Sequence, residues 1–122
     1  MWDKGGASRA PHCGYFRHQA EYAVWATNGR VPRKDSGGHA GVMHAPSPRN
    51  KRHVAQKPID VMQWLLAINP GLVVDPFAGS GTTILAADKL RRPCYAAEMS
   101  PVIAAECLER LAEHGRRPRV KG

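Results

Sequence analysis

The residues best suited to do chemistry stand in one short run, Val74-Asp75-Pro76-Phe77-Ala78-Gly79-Ser80-Gly81-Thr82-Thr83. An acid closes an apolar segment, and two glycines separated by one residue lead into a helix-forming stretch. Bare glycines at such a corner let a ligand lie against backbone amides and the positive end of a helix. A second acid, Glu98, follows at about the interval, roughly 20 residues, at which nucleotide-binding βαβ units place a ribose-binding carboxylate. The same pattern would also serve as a plain strand–turn–helix corner.

Two phosphate-binding readings fail. A P-loop requires Gly-Lys-Ser/Thr, whereas Gly81 is followed by Thr82; a dinucleotide fingerprint requires a third glycine, where Ile84 stands. An acid with a bare Gly-x-Gly suits a nucleoside cofactor that carries no phosphate, and S-adenosylmethionine is the leading candidate. Metal chemistry is not expected, because His12, Cys13, His18, His39, His44 and His53 show no recurring ligand spacing.

The elements that must hold this run can be read around it. Lys57-Pro58 opens a helix in which Ile59, Met62, Leu65 and Leu66 recur at helical spacing, and Asn69-Pro70-Gly71 ends it. Residues 72–75 form a short apolar strand of the kind covered on both faces, and Thr82 or Thr83 is expected to cap the helix through Ile84, Leu85, Ala87 and Leu90. Residues 93–98 read as a second strand, and Pro101 starts a helix with Val102, Ile103, Ala105, Leu108 and Leu111. The order helix, strand, helix, strand, helix is that of a parallel α/β sheet. Upstream, residues 21–27 predict a strand buried on at least one face and closed by Asn28-Gly29. Residues 30–52 are rich in Pro, Gly, Lys and Arg and cannot build a core.

The 122 residues suffice for one domain or part of one, and a core is possible at that length. No apolar stretch approaches the roughly 18 residues of a membrane span. No signal-peptide pattern opens the sequence, and three cysteines without a C-x-x-C pair read as reduced thiols; both features predict a cytoplasmic protein. The net charge of +8 is uneven: residues 1–58 and 114–122 are basic, and residues 59–113 are acidic. Basic flanks of this density attract polyanions, most commonly nucleic acid.

His53-Val54-Ala55-Gln56-Lys57-Pro58 together with Asp75 to Thr83 resembles the cofactor half of DNA adenine-N(6)/cytosine-N(4) methyltransferases. The arrangement resembles that of the permuted members, whose cofactor motifs follow the catalytic ones. Trp2-Asp3-Lys4-Gly5 and the run from Phe16 to Ala26 resemble the same enzymes' segments between the two sets of motifs. The resemblance implies a Rossmann-like, S-adenosylmethionine-dependent α/β fold and methyl transfer to an exocyclic base amine in double-stranded DNA. Restriction–modification or phage defence would be the usual setting.

It also implies which residues do what. Gln56, Lys57, Pro58, Asp75, Phe77, Gly79, Ser80, Gly81 and Thr82 would surround the methionine part of the cofactor, and Glu98 would take the ribose hydroxyls. Arg30, Arg33, Lys34, Arg49, Lys51 and Arg52, in the basic segment where target recognition would fall, would contact DNA phosphates. The family's catalytic tetrapeptide, ending in Pro-Pro-aromatic, does not occur in this sequence. The expectation is therefore an incomplete fold without its central catalytic strand, in which residues 1–29 follow the missing motif and residues 53–113 form the cofactor unit. Such a chain would be inactive alone, needing a complementing chain with the tetrapeptide; the alternative is a non-catalytic remnant or a DNA-binding accessory protein.

Overall fold

The computed structural model describes residues 1–7, 16, 18–29, 38–51 and 56–120, in two units: Met1–Ser47 and Pro48–Gly122. The boundary falls inside the basic segment 30–52.

The first unit is a small mixed sheet. Strand β1 (Trp2–Asp3) lies between β2 (Ala20–Glu21), its antiparallel partner, and β3 (Met43–His44), its parallel partner. Trp2 is buried, and its indole N–H donates to the Ala45 carbonyl at 2.8 Å, so the one polar atom of the ring is satisfied inside the unit. Lys4 pairs with Glu21 at 2.7 Å and stands 5.4 Å from the Trp2 ring centre. Asp3 meets His44 at 2.9 Å. The Gly5 amide and His44 hold the Asp3 carboxyl below the ordinary aspartate range.

Two expectations are corrected here. The strand expected over residues 21–27 is only Ala20–Glu21, and Tyr22, Val24 and Trp25 are exposed, Val24 to 97%. A β-rich sequence forms a strand only where a partner is in register, and β1 offers two residues. Conversely, Met43–His44, inside the segment 30–52 where no element was expected, is a strand because β1 pairs with it.

The second unit follows the order read from the sequence. Helix α1 (Ile59–Leu66) begins after Pro58, which is extended (φ −62°, ψ 143°) and buried, one place before the first turn. The side chain of Arg92 closes the far end, donating from Nη1 to the Leu66 carbonyl and from Nε to that of Gly71, at 2.5 and 2.7 Å. Strand β4 (Val73–Asp75) pairs in parallel with β5 (Cys94–Ala96), with Val73 opposite Cys94 and Asp75 opposite Ala96. Helix α2 (Thr82–Lys89) is the crossover that a parallel pair requires. Helix α3 (Pro101–Glu113) starts with proline in its first turn and is capped by the Ser100 hydroxyl, which accepts from the Ile103 amide.

Leu85, Cys107 and Leu111 form the buried centre, with Ile59 and Ile84 packed against it, so all three helices contribute. Ala86 and Ala87 are fully buried on α2, which packs against both α1 and β5. Val74, by contrast, is exposed, so β4 is covered on one face only, not on both as its apolar run suggested. Among the described residues, no helix is long and apolar enough to cross a membrane.

Candidate cofactor cleft

The site is built at the carboxyl end of β4, the position at which open α/β sheets take their ligands. Asp75 ends the strand, and one of its carboxylate oxygens, Oδ1, accepts from the Phe77 amide at 3.0 Å. That bond turns the chain sharply after Pro76. The Ala78 amide then donates to the Ala97 carbonyl at 2.8 Å, extending the contact with the β5 side beyond the strand. Gly79 and Gly81 both take positive φ, 51° and 76°, which completes the turn into α2.

The cleft this corner bounds holds about 370 Å³, within the size range of small-molecule sites. Seven of the ten residues named for the cofactor line it: Gln56, Lys57, Asp75, Phe77, Gly79, Ser80 and Thr82. They come from the segment just before α1, the end of β4, the loop and the first turn of α2, so the fold brings together residues up to 26 positions apart. Phe77 is 86% exposed, an aromatic ring left in solvent beside the cleft. The second carboxylate oxygen of Asp75 has no partner among the described residues.

The other three named residues do different work. Pro58 is buried at the start of α1. Gly81 faces α3: a Cβ there would stand 2.5 Å from Cys107 Sγ, so this glycine permits helix packing. A Cβ at Gly79 would meet nothing closer than the Phe77 carbonyl at 4.0 Å, and this is the glycine with open space beside it. Glu98 is engaged with backbone: Oε2 accepts from the Gly79 amide and Oε1 from the Ser100 amide, each at 2.9 Å. Its carboxylate thus ties the loop to the start of α3.

The expected ligand contact with the glycine amides is also revised. The Gly79 amide is held by Glu98, and that of Gly81 donates to the Ala78 carbonyl at 2.9 Å, so close approach at Gly79 depends on the missing side chain. Neither threonine caps α2; Gly81 occupies the cap position, and Thr82 is the first helical residue.

Sequence reasoning missed Met62, Ala78 and Thr83, which also line the cleft. Met62 carried only its helical periodicity, which marks an apolar face without saying what the face meets. Of the basic residues assigned to DNA, Arg49 and Lys51 are exposed, whereas Arg30, Arg33, Lys34 and Arg52 lie outside the described residues. Burial holds the Cys107 thiol above its ordinary pKa, opposed by the nearby Arg110 charge. Cys94 is raised by burial and then by the charge of Asp75.

Comparison with known proteins places these features in context. The model of a DNA methylase family, adenine-N(6)/cytosine-N(4) type, matches residues 23–109. The type II methyltransferase M.HindIII of Haemophilus influenzae is 54% identical over 43 residues, which make up 33% of this chain and 14% of that protein. The crystal structure of the M1.HpyAVI–SAM complex superposes on 90% of this chain and 58% of its own, with TM-score 0.60 and 26% identity. The protein TTHA0409 of Thermus thermophilus, solved with S-adenosyl-L-methionine, covers 92% of this chain and 51% of its own at TM-score 0.55 and 22% identity, which shows a shared fold. The chain therefore spans little more than half the length of these solved structures and a smaller part of M.HindIII.

Proposed function

The chain belongs to the DNA methylase family of adenine-N(6) and cytosine-N(4) enzymes, and from that premise we propose that the cleft at the end of β4 binds S-adenosylmethionine for methyl transfer to a base amine in DNA. The observation that carries the reading is the convergence of Gln56, Lys57, Asp75, Phe77, Gly79, Ser80 and Thr82 on one cleft. These residues fit the cofactor. Asp75 offers a carboxylate oxygen with no partner among the described residues to a cationic amine. The open space at Gly79 admits a close-lying chain, and Phe77 offers an apolar face. M1.HpyAVI and TTHA0409 have each been solved in complex with this cofactor, which supports the assignment.

Bound there, S-adenosylmethionine would supply an electrophilic methyl group on a sulfonium. The chain's own residues bind and orient. Asp75 fixes one end of the ligand by charge, while Gln56 and Lys57 close the cleft from the segment just before α1, which the buried Pro58 joins to the helix. Glu98 sets the loop through Gly79; carboxylate oxygens accept more than one hydrogen bond each, so ribose hydroxyls can share it. Arg30, Arg33, Lys34, Arg49, Lys51 and Arg52 would meet DNA phosphates and hold the duplex without specifying sequence.

Residues 1–122 contain no Pro-Pro-aromatic tetrapeptide. Polarising a flipped base therefore requires that element from outside these residues, in the same polypeptide or in another. Calorimetry with S-adenosylmethionine tests the cofactor assignment: the chain binds with single-site stoichiometry, and Asp75→Ala abolishes the heat. A folded chain that gives no heat would sink the assignment. With labelled cofactor and duplex DNA, the 122 residues alone transfer no methyl group above background; transfer by them would contradict the argument from the tetrapeptide.

A further inference from the structure

Arg110 lies near the end of α3 and is only 6% exposed, although an arginine on a helix of this composition would be expected in solvent. Its Nη1 donates to the Ser80 carbonyl at 2.8 Å, to Thr82 Oγ1 at 2.9 Å and to Ser80 Oγ at 3.2 Å. One nitrogen carries two hydrogens, so the two short contacts take them and the Ser80 hydroxyl shares one. The acceptors belong to the turn before α2 and to its first residue, and both Ser80 and Thr82 line the cleft. No described residue of α3 lines the cleft itself. Whatever Arg110 does for the site, it does through the loop.

Resting on the reading of this cleft as the S-adenosylmethionine site, we propose that Arg110 is a positioning residue that holds the Gly79–Thr82 loop in its ligand-ready shape. The loop is fixed to the α3 side at three points. Glu98, just before α3, takes the Gly79 amide; Cys107 packs against Gly81; Arg110, three residues on and therefore on the same helix face, takes Ser80 and Thr82. Within the turn the Phe77 amide bonds Asp75 and the Gly81 amide bonds the Ala78 carbonyl, whereas the Ser80 carbonyl and the Ser80 and Thr82 hydroxyls are held by Arg110. A buried guanidinium is stable only when its donors are satisfied, which makes the contact specific in both directions. Lysine would keep the charge, but its side chain ends one bond short of Nη1, the nitrogen that reaches the Ser80 carbonyl and both hydroxyls.

The test uses the full chain and two readouts. Hydrogen exchange of the Gly79–Thr83 amides is measured without any ligand, and S-adenosylmethionine affinity is measured by calorimetry. Arg110→Lys speeds loop exchange about tenfold and weakens affinity by a similar factor, the loss of one charge-assisted hydrogen bond. Leu111→Val, which loosens the same helix without touching the loop, leaves both within about twofold at a comparable fall in thermal midpoint. Should Arg110→Lys not fold, Ser80→Ala/Thr82→Val removes two of the acceptors and speeds loop exchange in its place. Loop exchange and affinity in Arg110→Lys no worse than in Leu111→Val would overturn the proposal. If the wild-type chain binds no S-adenosylmethionine, the functional reading fails, while the exchange data still decide the role of Arg110.

Discussion

Replacing Gly81 with alanine places a Cβ 2.5 Å from Cys107 Sγ, in a backbone with φ 76° that side chains rarely adopt. Three effects set the magnitude. Left-handed backbone costs alanine roughly 1–2 kcal/mol. The clash is overpacking in the buried centre, since Cys107 belongs to the cluster with Leu85 and Leu111, and such insertions cost about 1–3 kcal/mol. Against these, alanine restricts the unfolded chain and returns about 0.4–1 kcal/mol. The balance is a loss of roughly 2–4 kcal/mol, a large share of the 5–15 kcal/mol typical of a domain. Urea unfolding followed by circular dichroism measures it. The clash is separable from the strain: in a Cys107→Ala background the sulfur is gone, and Gly81→Ala should then cost only about 1 kcal/mol, the strain less the entropy gain. The difference between backgrounds is the coupling energy of a double-mutant cycle. Equal losses in both backgrounds would refute the assignment of Gly81 to helix packing.

Gly79→Ala should behave in the opposite way, since a Cβ there has open space: stability falls by about 1 kcal/mol, while S-adenosylmethionine affinity measured by calorimetry falls by more than tenfold. Glu98→Gln keeps one carbonyl oxygen for two backbone amides, so exchange at either Gly79 or Ser100 should accelerate and stability should drop by about 1–2 kcal/mol in urea unfolding. In a Cys13→Ser/Cys94→Ser chain at pH 8, Cys107 should react with a disulfide reagent far more slowly than a free thiol. Its pKa is raised by burial, so the thiolate is scarce until the pH exceeds that value or urea opens the core. The Asp3 carboxyl titrates low because the Gly5 amide and His44 favour its charged form. Its contribution is therefore complete above the ordinary aspartate range and lost as pH falls through the depressed value; an NMR titration of Asp3 in wild type and His44→Ala checks the direction.

Much of the second unit was legible because its signals are local. Pro58 and Pro101 mark helix starts, Asn69-Pro70-Gly71 marks a stop, and the strand pair with its crossover helix follows from a short apolar run on either side of a helical period. The first unit was not legible for the opposite reason. Trp2–Asp3 and Met43–His44 are strands only because they pair across 41 positions, and Val24 and Trp25 have β-propensity but no partner in register. Within the site, residue types announced that a ligand corner existed but not how each member serves it. Gly81 looks like Gly79 in the sequence, yet one faces Cys107 and the other open space. Arg110 reads as one more charge on an amphipathic helix, and only its three contacts distinguish it.

Occupation of the cleft at the end of β4 by S-adenosylmethionine is the central claim, and backbone NMR of the labelled chain titrated with that cofactor tests it most directly. Shifts concentrated at Gln56, Lys57, Asp75, Phe77, Gly79, Ser80 and Thr82, and lost in Asp75→Ala, are the predicted result. A folded chain that shows no shifts, or shifts confined to residues 1–47, would contradict it.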